Sequence, residues 1–265
     1  MLRVIPLLLL LLVMQPAHAL RVATLSPHAT ELVWFAGGSE QLVGVSAFSD
    51  FPESASSLPS IGDASAIDRE RIISLQPELL VYWSNGIRPS DLAWLRERGI
   101  ALFASNPVTI DELANELHRL AELLGTEESA RKTIGAMREK EKQLRALDTG
   151  VPVRIIHQLW RKPLLVLGKK DLLPQTLALC GIENPVDTGG QPSAAVSREY
   201  LHAVQADAIL VGEEALFEPF NPHGLPLIRG DGNSIHRPTP RLLDAALEIC
   251  RKTRDGSKLS DLRER

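Results

Sequence analysis

The chain has 265 residues, with 29 basic against 33 acidic side chains and a formal charge of −4. That balance excludes the bulk positive charge of a general nucleic-acid binder, and 44% hydrophobic with 23% charged residues is the make-up of an ordinary globular protein. Aromatic residues reach only 5%, so each tryptophan near a candidate site carries weight.

Residues 1–19, MLRVIPLLLLLLVMQPAHA, combine an early arginine, an apolar run and the small-x-small end Ala17-His18-Ala19. This is the pattern of a secretory signal peptide cleaved after Ala19. The apolar run is shorter than the roughly 20 residues a membrane span needs. No later segment reaches that length, and no Cys follows the cleavage point for lipid attachment. The expectation is an exported chain in a bacterial periplasm, without membrane insertion. Loss of the leader's one arginine leaves 28 basic against 33 acidic residues, a charge of −5. In that oxidising compartment the only two cysteines, Cys180 and Cys250, are expected as a structural disulfide. A reactive thiol and a metal site are the other readings, and neither Cys has a Cys or His nearby at ligand spacing.

Strand and helix signals then alternate. Arg21–Ser26 reads as a strand. Ser26-Pro27 offers a helix cap and an N1 proline, and Gly37-Gly38 ends that helix. Leu42–Ser46 is a strand, Asp68–Leu75 a helix, Leu79–Trp83 a strand and Asn85-Gly86 a turn. Asp91–Arg98 is a helix and Ile100–Ala104 a strand. Thr109 and Glu112 form a capping box ahead of the apolar face Ile110, Leu113, Leu117, Leu120, Ala121 and Leu124, closed by Gly125. A charged helix from Glu127 to Leu147 has a thin apolar stripe of Ala130, Ile134, Met137 and Leu144, and is expected as a rigid connector. Beyond it come a strand (Val153–Trp160), helices (Asp171–Leu179, Ser197–Val204), strands (Asp207–Val211, Pro226–Ile228) and a last amphipathic helix (Pro240–Cys250). The fold class expected is α/β, two lobes with mostly parallel sheets joined by one long helix. The divisions are 1–19 leader, 20–125 first lobe, 126–148 connecting helix, 149–253 second lobe and 254–265 polar tail.

Signatures of catalysis are missing: there is no GxSxG, P-loop, HExxH or GxGxxG. Six histidines beyond the leader (His28, His118, His157, His202, His223, His236) are dispersed, so no metal site is expected. His28, just after the first strand, is read as a capping or surface residue.

Several segments carry a family likeness. RVATLSPHATEL (Arg21–Leu32), LVGVSAFSDFP (Leu42–Pro52), LPSIG (Leu58–Gly62), ERIISLQPELL (Glu70–Leu80), LCGIEN (Leu179–Asn184), VSRE (Val196–Glu199) and TPRLL (Thr239–Leu243) stand in the order found in helical-backbone, class III periplasmic binding proteins. The chain resembles that family, the receptors for cobalamin, haem and ferric siderophores, and within it is most similar to the cobalamin receptors. The resemblance implies a monomer with no cofactor and no catalytic residue. It implies a macrocyclic ligand, cobalamin or a related corrinoid, and a permease partner in an ABC importer. It also implies a disulfide between Cys180 and Cys250.

Trp83 matches a tryptophan lining the ligand cleft, where a flat ring suits a large macrocycle through dispersion. The second-lobe tryptophan of the family falls at Ser193, and an aromatic expected near Ala64 is absent. Trp160 and Phe51 are the rings expected to compensate, with Asp231 and Asn233 bonding the ligand's amides. Glu199 matches the second-lobe acid that docks on permease arginines; the first-lobe position is Pro89, with Asp91 as the substitute. The missing rings make haem or a ferric siderophore the competing ligand. An exported α/β enzyme is the reading of a different class.

Overall fold

The computed structural model describes residues 19–63, 65–213 and 217–254. The expected leader apart from Ala19, and the tail beyond Arg254, lie outside the described residues. Among the described residues no helix is long and apolar enough to cross a membrane.

The first lobe alternates strand and helix: β1 (Val22–Thr24), α1 (Pro27–Phe35), β2 (Leu42–Gly44), α2 (Arg69–Leu75), β3 (Leu79–Trp83), α3 (Pro89–Glu97), β4 (Ala101–Ser105) and α4 (Ile110–Leu124). The sheet order is β2-β1-β3-β4, with every pair parallel. Central strands of such a sheet are covered on both faces and read as unbroken apolar runs. Leu79, Leu80, Val81 and Tyr82 follow that rule, and only Trp83 at the end of β3 emerges. The caps act as expected: Ser26 Oγ accepts from Ala29 N–H, and Thr109 Oγ1 from Glu112 N–H. The Glu112 carboxylate reaches back to Val108 N–H instead of the capping threonine's own. Gly125 closes α4 at φ +70°, a left-handed conformation that favours glycine. α3 begins at Pro89, two residues before the expected start, because proline at N1 gives up no helical bond.

The connector is α5 (Glu127–Ala146), 20 residues long. Its buried residues Ala130, Met137 and Leu144 repeat every seven, placing them on one face. That face belongs to a single apolar core running from Val22 and Leu32 in the first lobe to Leu243 and Ile249 in the second. Thr126 and Thr133 hydroxyls donate to the carbonyls of Ala36 (2.6 Å) and Phe35 (2.9 Å) at the end of α1. The helix is thus packed and hydrogen-bonded along its length, not a free strut.

The second lobe comprises β5 (Val153–Arg161), β6 (Leu164–Leu167), α6 (Leu172–Ala178), β7 (Ile182–Glu183), β8 (Ser193–Ala195), α7 (Arg198–Ala203), β9 (Ala208–Gly212), β10 (Leu227–Gly230), α8 (Gly232–Ile235) and α9 (Arg241–Arg254). Its sheet runs β10-β9-β5-β6-β8, with β7 also on β5. β10, β9 and β5 are parallel, whereas β6 is antiparallel to both β5 and β8. The β5–β6 hairpin and β8 depart from the expected simple repeat. α8 is a single turn that begins in the Gly230-Asp231-Gly232-Asn233 stretch. α9 runs on to Arg254, whose guanidinium bonds the carbonyls of Cys180 (2.9 Å) and Val151 (2.6 Å) and so belongs to the fold rather than to the tail. Cys180 and Cys250 are joined in a buried disulfide tying the end of α6 to α9.

Candidate functional site between the two lobes

The carboxyl ends of β1 in the first lobe and β10 in the second lead into segments that bond to each other across the lobes. β1 leads into Ser26, His28 and Glu31, and β10 leads into Asp231, Asn233 and Arg237, of which Asn233 and Arg237 bond across to the first lobe. In open α/β sheets ligands bind in the crevice at this end of the strands.

A cross-lobe ionic cluster joins these segments. Glu31 on α1 is 0% exposed. Its Oε1 accepts from Arg237 Nη1 at 2.8 Å and from Arg241 Nη1 at 3.0 Å, and its Oε2 accepts from Thr239 Oγ1 at 2.8 Å. Arg237 also pairs with Asp50 and donates to the Phe48 carbonyl. Burial works against ionisation of Asp50, but the Arg237 guanidinium outweighs it and holds the carboxyl below its usual range.

Asp231 and Asn233, expected as ligand-binding groups, take part in this cluster. Asp231 caps α8, accepting from Asn233 N–H (3.1 Å) and the Ser234 hydroxyl, and pairs with Arg241. Asn233 donates to Asp50 at 2.9 Å and accepts from Arg237 at 3.1 Å.

Three aromatic rings near strand ends are exposed. Trp83 ends β3 and is 41% exposed, with its Nε1–H donating to Asn106 Oδ1 at 3.0 Å. Trp160, near the end of β5, is 53% exposed, bonds the Lys162 carbonyl and leans on Phe217 with centroids 5.6 Å apart. Phe48 is 82% exposed in a left-handed conformation, φ +63°. Such a conformation is uncommon outside glycine and persists only where the surroundings impose it. Here Ser49 Oγ is hydrogen-bonded with both Ser46 Oγ and Thr30 Oγ1, each at 2.9 Å, and these buried hydroxyls pin the chain on either side.

Phe48 was not singled out from the sequence; Phe51 was. In F-S-D-F nothing local separates the two rings. Phe51 is partly buried and packs against Trp34 (centroids 5.1 Å) and Phe35 (5.9 Å), with the Arg241 guanidinium over its ring. Ser193 opens β8 opposite Leu167, whereas the residue level with Trp160 across β6 is Ala195.

Two buried histidines flank the cluster. His28 is pushed down to about 4 by burial and then by the Arg237 charge, so its imidazole is neutral and a weak base toward Ser26, whose Oγ lies 3.1 Å from Nδ1. It is buried, against the surface or capping role expected. His157 and His236 meet Nε2 to Nε2 at 3.1 Å with rings 15° from coplanar, so one neutral imidazole donates to the other. Burial first, then His236, drives His157 well below its ordinary value. Among the described residues no three His, Cys, Asp or Glu gather as a metal site. A groove of about 660 Å³ in the second lobe is lined by apolar and polar groups alike, among them Ile182, Val204, Arg154 and Lys169, and by none of the residues predicted for ligand binding or docking.

The predicted docking acids separate. Glu199 is exposed in the first turn of α7, and its own backbone N–H and the Ser197 hydroxyl hold its carboxyl below the usual range. Asp91 is 1% exposed, bonded by Arg69 (2.8 Å) and Arg88 (2.9 Å). The Arg69 bond outweighs burial and holds the Asp91 carboxyl below its usual range, but the carboxylate is closed to a partner, and the expectation for Asp91 is corrected.

The acid that matches Glu199 in place is Glu70. Both occupy the second position of a short helix, after an Arg and a side-chain cap (Asp68, Ser197). α2 and α7 each lead into the strand, β3 or β9, that pairs with the first strand of its lobe. The repeated Arg-Glu after a capping residue was the signal in the sequence.

The sequence profile of the family described as Periplasmic binding protein matches residues 22–225. The chain is 31% identical over 253 residues to the vitamin B12-binding protein of Vibrio cholerae, covering 90% of this chain and 91% of that one. The crystal structure of the periplasmic vitamin B12 binding protein BtuF of Vibrio cholerae superposes with a TM-score of 0.76 at 28% identity, over 92% of this chain and 98% of that one. The periplasmic heme-binding protein RhuT of Roseiflexus sp. RS-1 has the same fold, with a TM-score of 0.76 at 21% identity over 92% of this chain and 99% of that one. A profile spanning most of the chain, two α/β lobes around one packed helix and exposed rings near strand ends agree, and the chain belongs to the periplasmic binding protein family.

Proposed function

We propose that this protein captures a corrinoid of the cobalamin class in the crevice and delivers it to the permease of an ABC importer, binding without chemistry. The observation that carries the reading is the exposure of Trp83, Trp160 and Phe48, a costly display for apolar rings unless a flat ligand covers them. Support comes from relatives named vitamin B12-binding proteins at 31% identity across nine-tenths of the chain. The working form is a periplasmic monomer whose leader is removed after Ala19.

Titration of the purified protein with cyanocobalamin, followed by calorimetry, should give a Kd below about 1 μM, and Trp83→Ala should weaken it about tenfold, the loss of one ring's packing. Absence of binding at tens of micromolar (~10 μM and above, weaker than about −7 kcal/mol) together with tight hemin binding would replace the corrinoid by haem.

Glu70 and Glu199 are the docking acids in this reading, one per lobe. Exposed charges steer encounter more than they add affinity. Glu70→Lys and Glu199→Lys should each slow association with the permease at low salt and leave cyanocobalamin affinity unchanged, as read by surface-immobilised permease kinetics. Equal association rates would remove the acid from the interface.

A further inference from the structure

We propose that Asn106 is a positioning residue for the Trp83 ring and that the Glu116 carboxylate holds Asn106 in place for it; the consequence for ligand rests on the reading of Trp83 as a wall of the crevice. An exposed tryptophan at a strand end has several staggered side-chain rotamers open to it, and a ligand that needs one of them must offset the loss of the others. Trp83 has a single polar anchor, the 3.0 Å bond from Nε1–H to Asn106 Oδ1.

The anchor is itself tied down. Trp83 pairs with Ser105 in the β3–β4 register, so Asn106 is the first residue beyond the ladder. From α4, Glu116 clamps both neighbours at once: Oε2 accepts from Ser105 Oγ at 2.6 Å and Oε1 from Asn106 N–H at 3.0 Å. Pro107 follows and is buried, and Glu112 takes Val108 N–H at 2.7 Å. Two carboxylates of one helix therefore fix the turn that carries the anchoring amide. Burial pushes the Glu116 carboxyl up, which fits a group kept for its geometry at an unfavourable place. Trp160 is anchored differently, to a carbonyl of its own hairpin, so the two rings are set independently.

The test reads the ring directly. The protein has four tryptophans, so 5-fluorotryptophan labelling should give four fluorine resonances, with Trp83 assigned from Trp83→Phe. In ligand-free protein, Asn106→Ala should shift or broaden the Trp83 line and weaken cyanocobalamin binding about fivefold, the scale of one lost hydrogen bond. Glu116→Ala should act in the same way. Glu116→Gln, which keeps an acceptor for Asn106 N–H, should restore most of both signals. In the Trp83→Phe background, Asn106→Ala should change affinity by less than about twofold, because the bond is already gone. An unchanged Trp83 resonance in Asn106→Ala overturns the positioning role. A shifted resonance, in a protein whose affinity Trp83→Ala does not alter, upholds positioning and overturns instead the reading of Trp83 as a ligand wall.

Discussion

Replacing Glu31 by glutamine is expected to destabilise the protein by about 3 kcal/mol, measured from the midpoint of urea unfolding. The carboxylate is fully buried and is the shared acceptor of Arg237, Arg241 and Thr239. Removing one partner of a buried ion pair leaves uncompensated charge where water cannot reach it. Here both arginines keep a second acid, Asp50 and Asp231, which limits the loss. Because α1 and the Asp231–Arg241 stretch belong to different lobes, the same substitution should raise amide exchange in α8 and in the Phe48 loop above that in the α4 interior. A loss under about 1 kcal/mol, with exchange unaltered, would mean that apolar packing along α5 holds the lobes together without the cluster.

The disulfide is expected to contribute about 4 kcal/mol, the chain-entropy value for a closed loop of 70 residues. Cys180→Ala with Cys250→Ala removes it without leaving a free thiol. The pair spans α6 to α9, and α9 packs against α5, so loosening it frees the second lobe's helical layer rather than a terminus. The double variant should unfold at lower urea than the oxidised protein and match the wild-type protein unfolded in reductant. Coincident midpoints with and without reductant would show that the bridge adds little beyond the buried contacts of α9.

Much of the architecture was legible because its signals are local. Ser26-Pro27, Thr109 with Glu112, and Gly125 mark helix ends through bonds reaching three or four residues, and β3 is readable as four apolar residues before a tryptophan. The hairpin from β5 to β6 was not legible, since its turn, Lys162-Pro163, sits inside an apolar run with none of the usual hairpin dipeptides. α8 was missed because one helical turn is too short to show a period. The strand-end positions of Trp83 and Trp160 were readable from the sequence. Glu70 was overlooked although Arg69-Glu70 repeats Arg198-Glu199, whereas the exposure of Phe48 and the burial of Asp91 depend on which face of a loop or helix the rest of the chain covers.

The sequence by itself determined an α/β chain in two parts with a charged helix between, a pair of cysteines suited to an oxidising compartment, and tryptophans at two strand ends. Only the tertiary structure decided that Glu31 would be buried beneath arginines 206 and 210 residues away, that Asp231 and Asn233 would join the same cluster, and that Phe48 would be the most exposed of the large apolar rings. Caps and periodicities are interactions between near neighbours and are written in consecutive residues. An ion pair across two lobes is set by the packing of α5 between them, and no run of consecutive residues carries it.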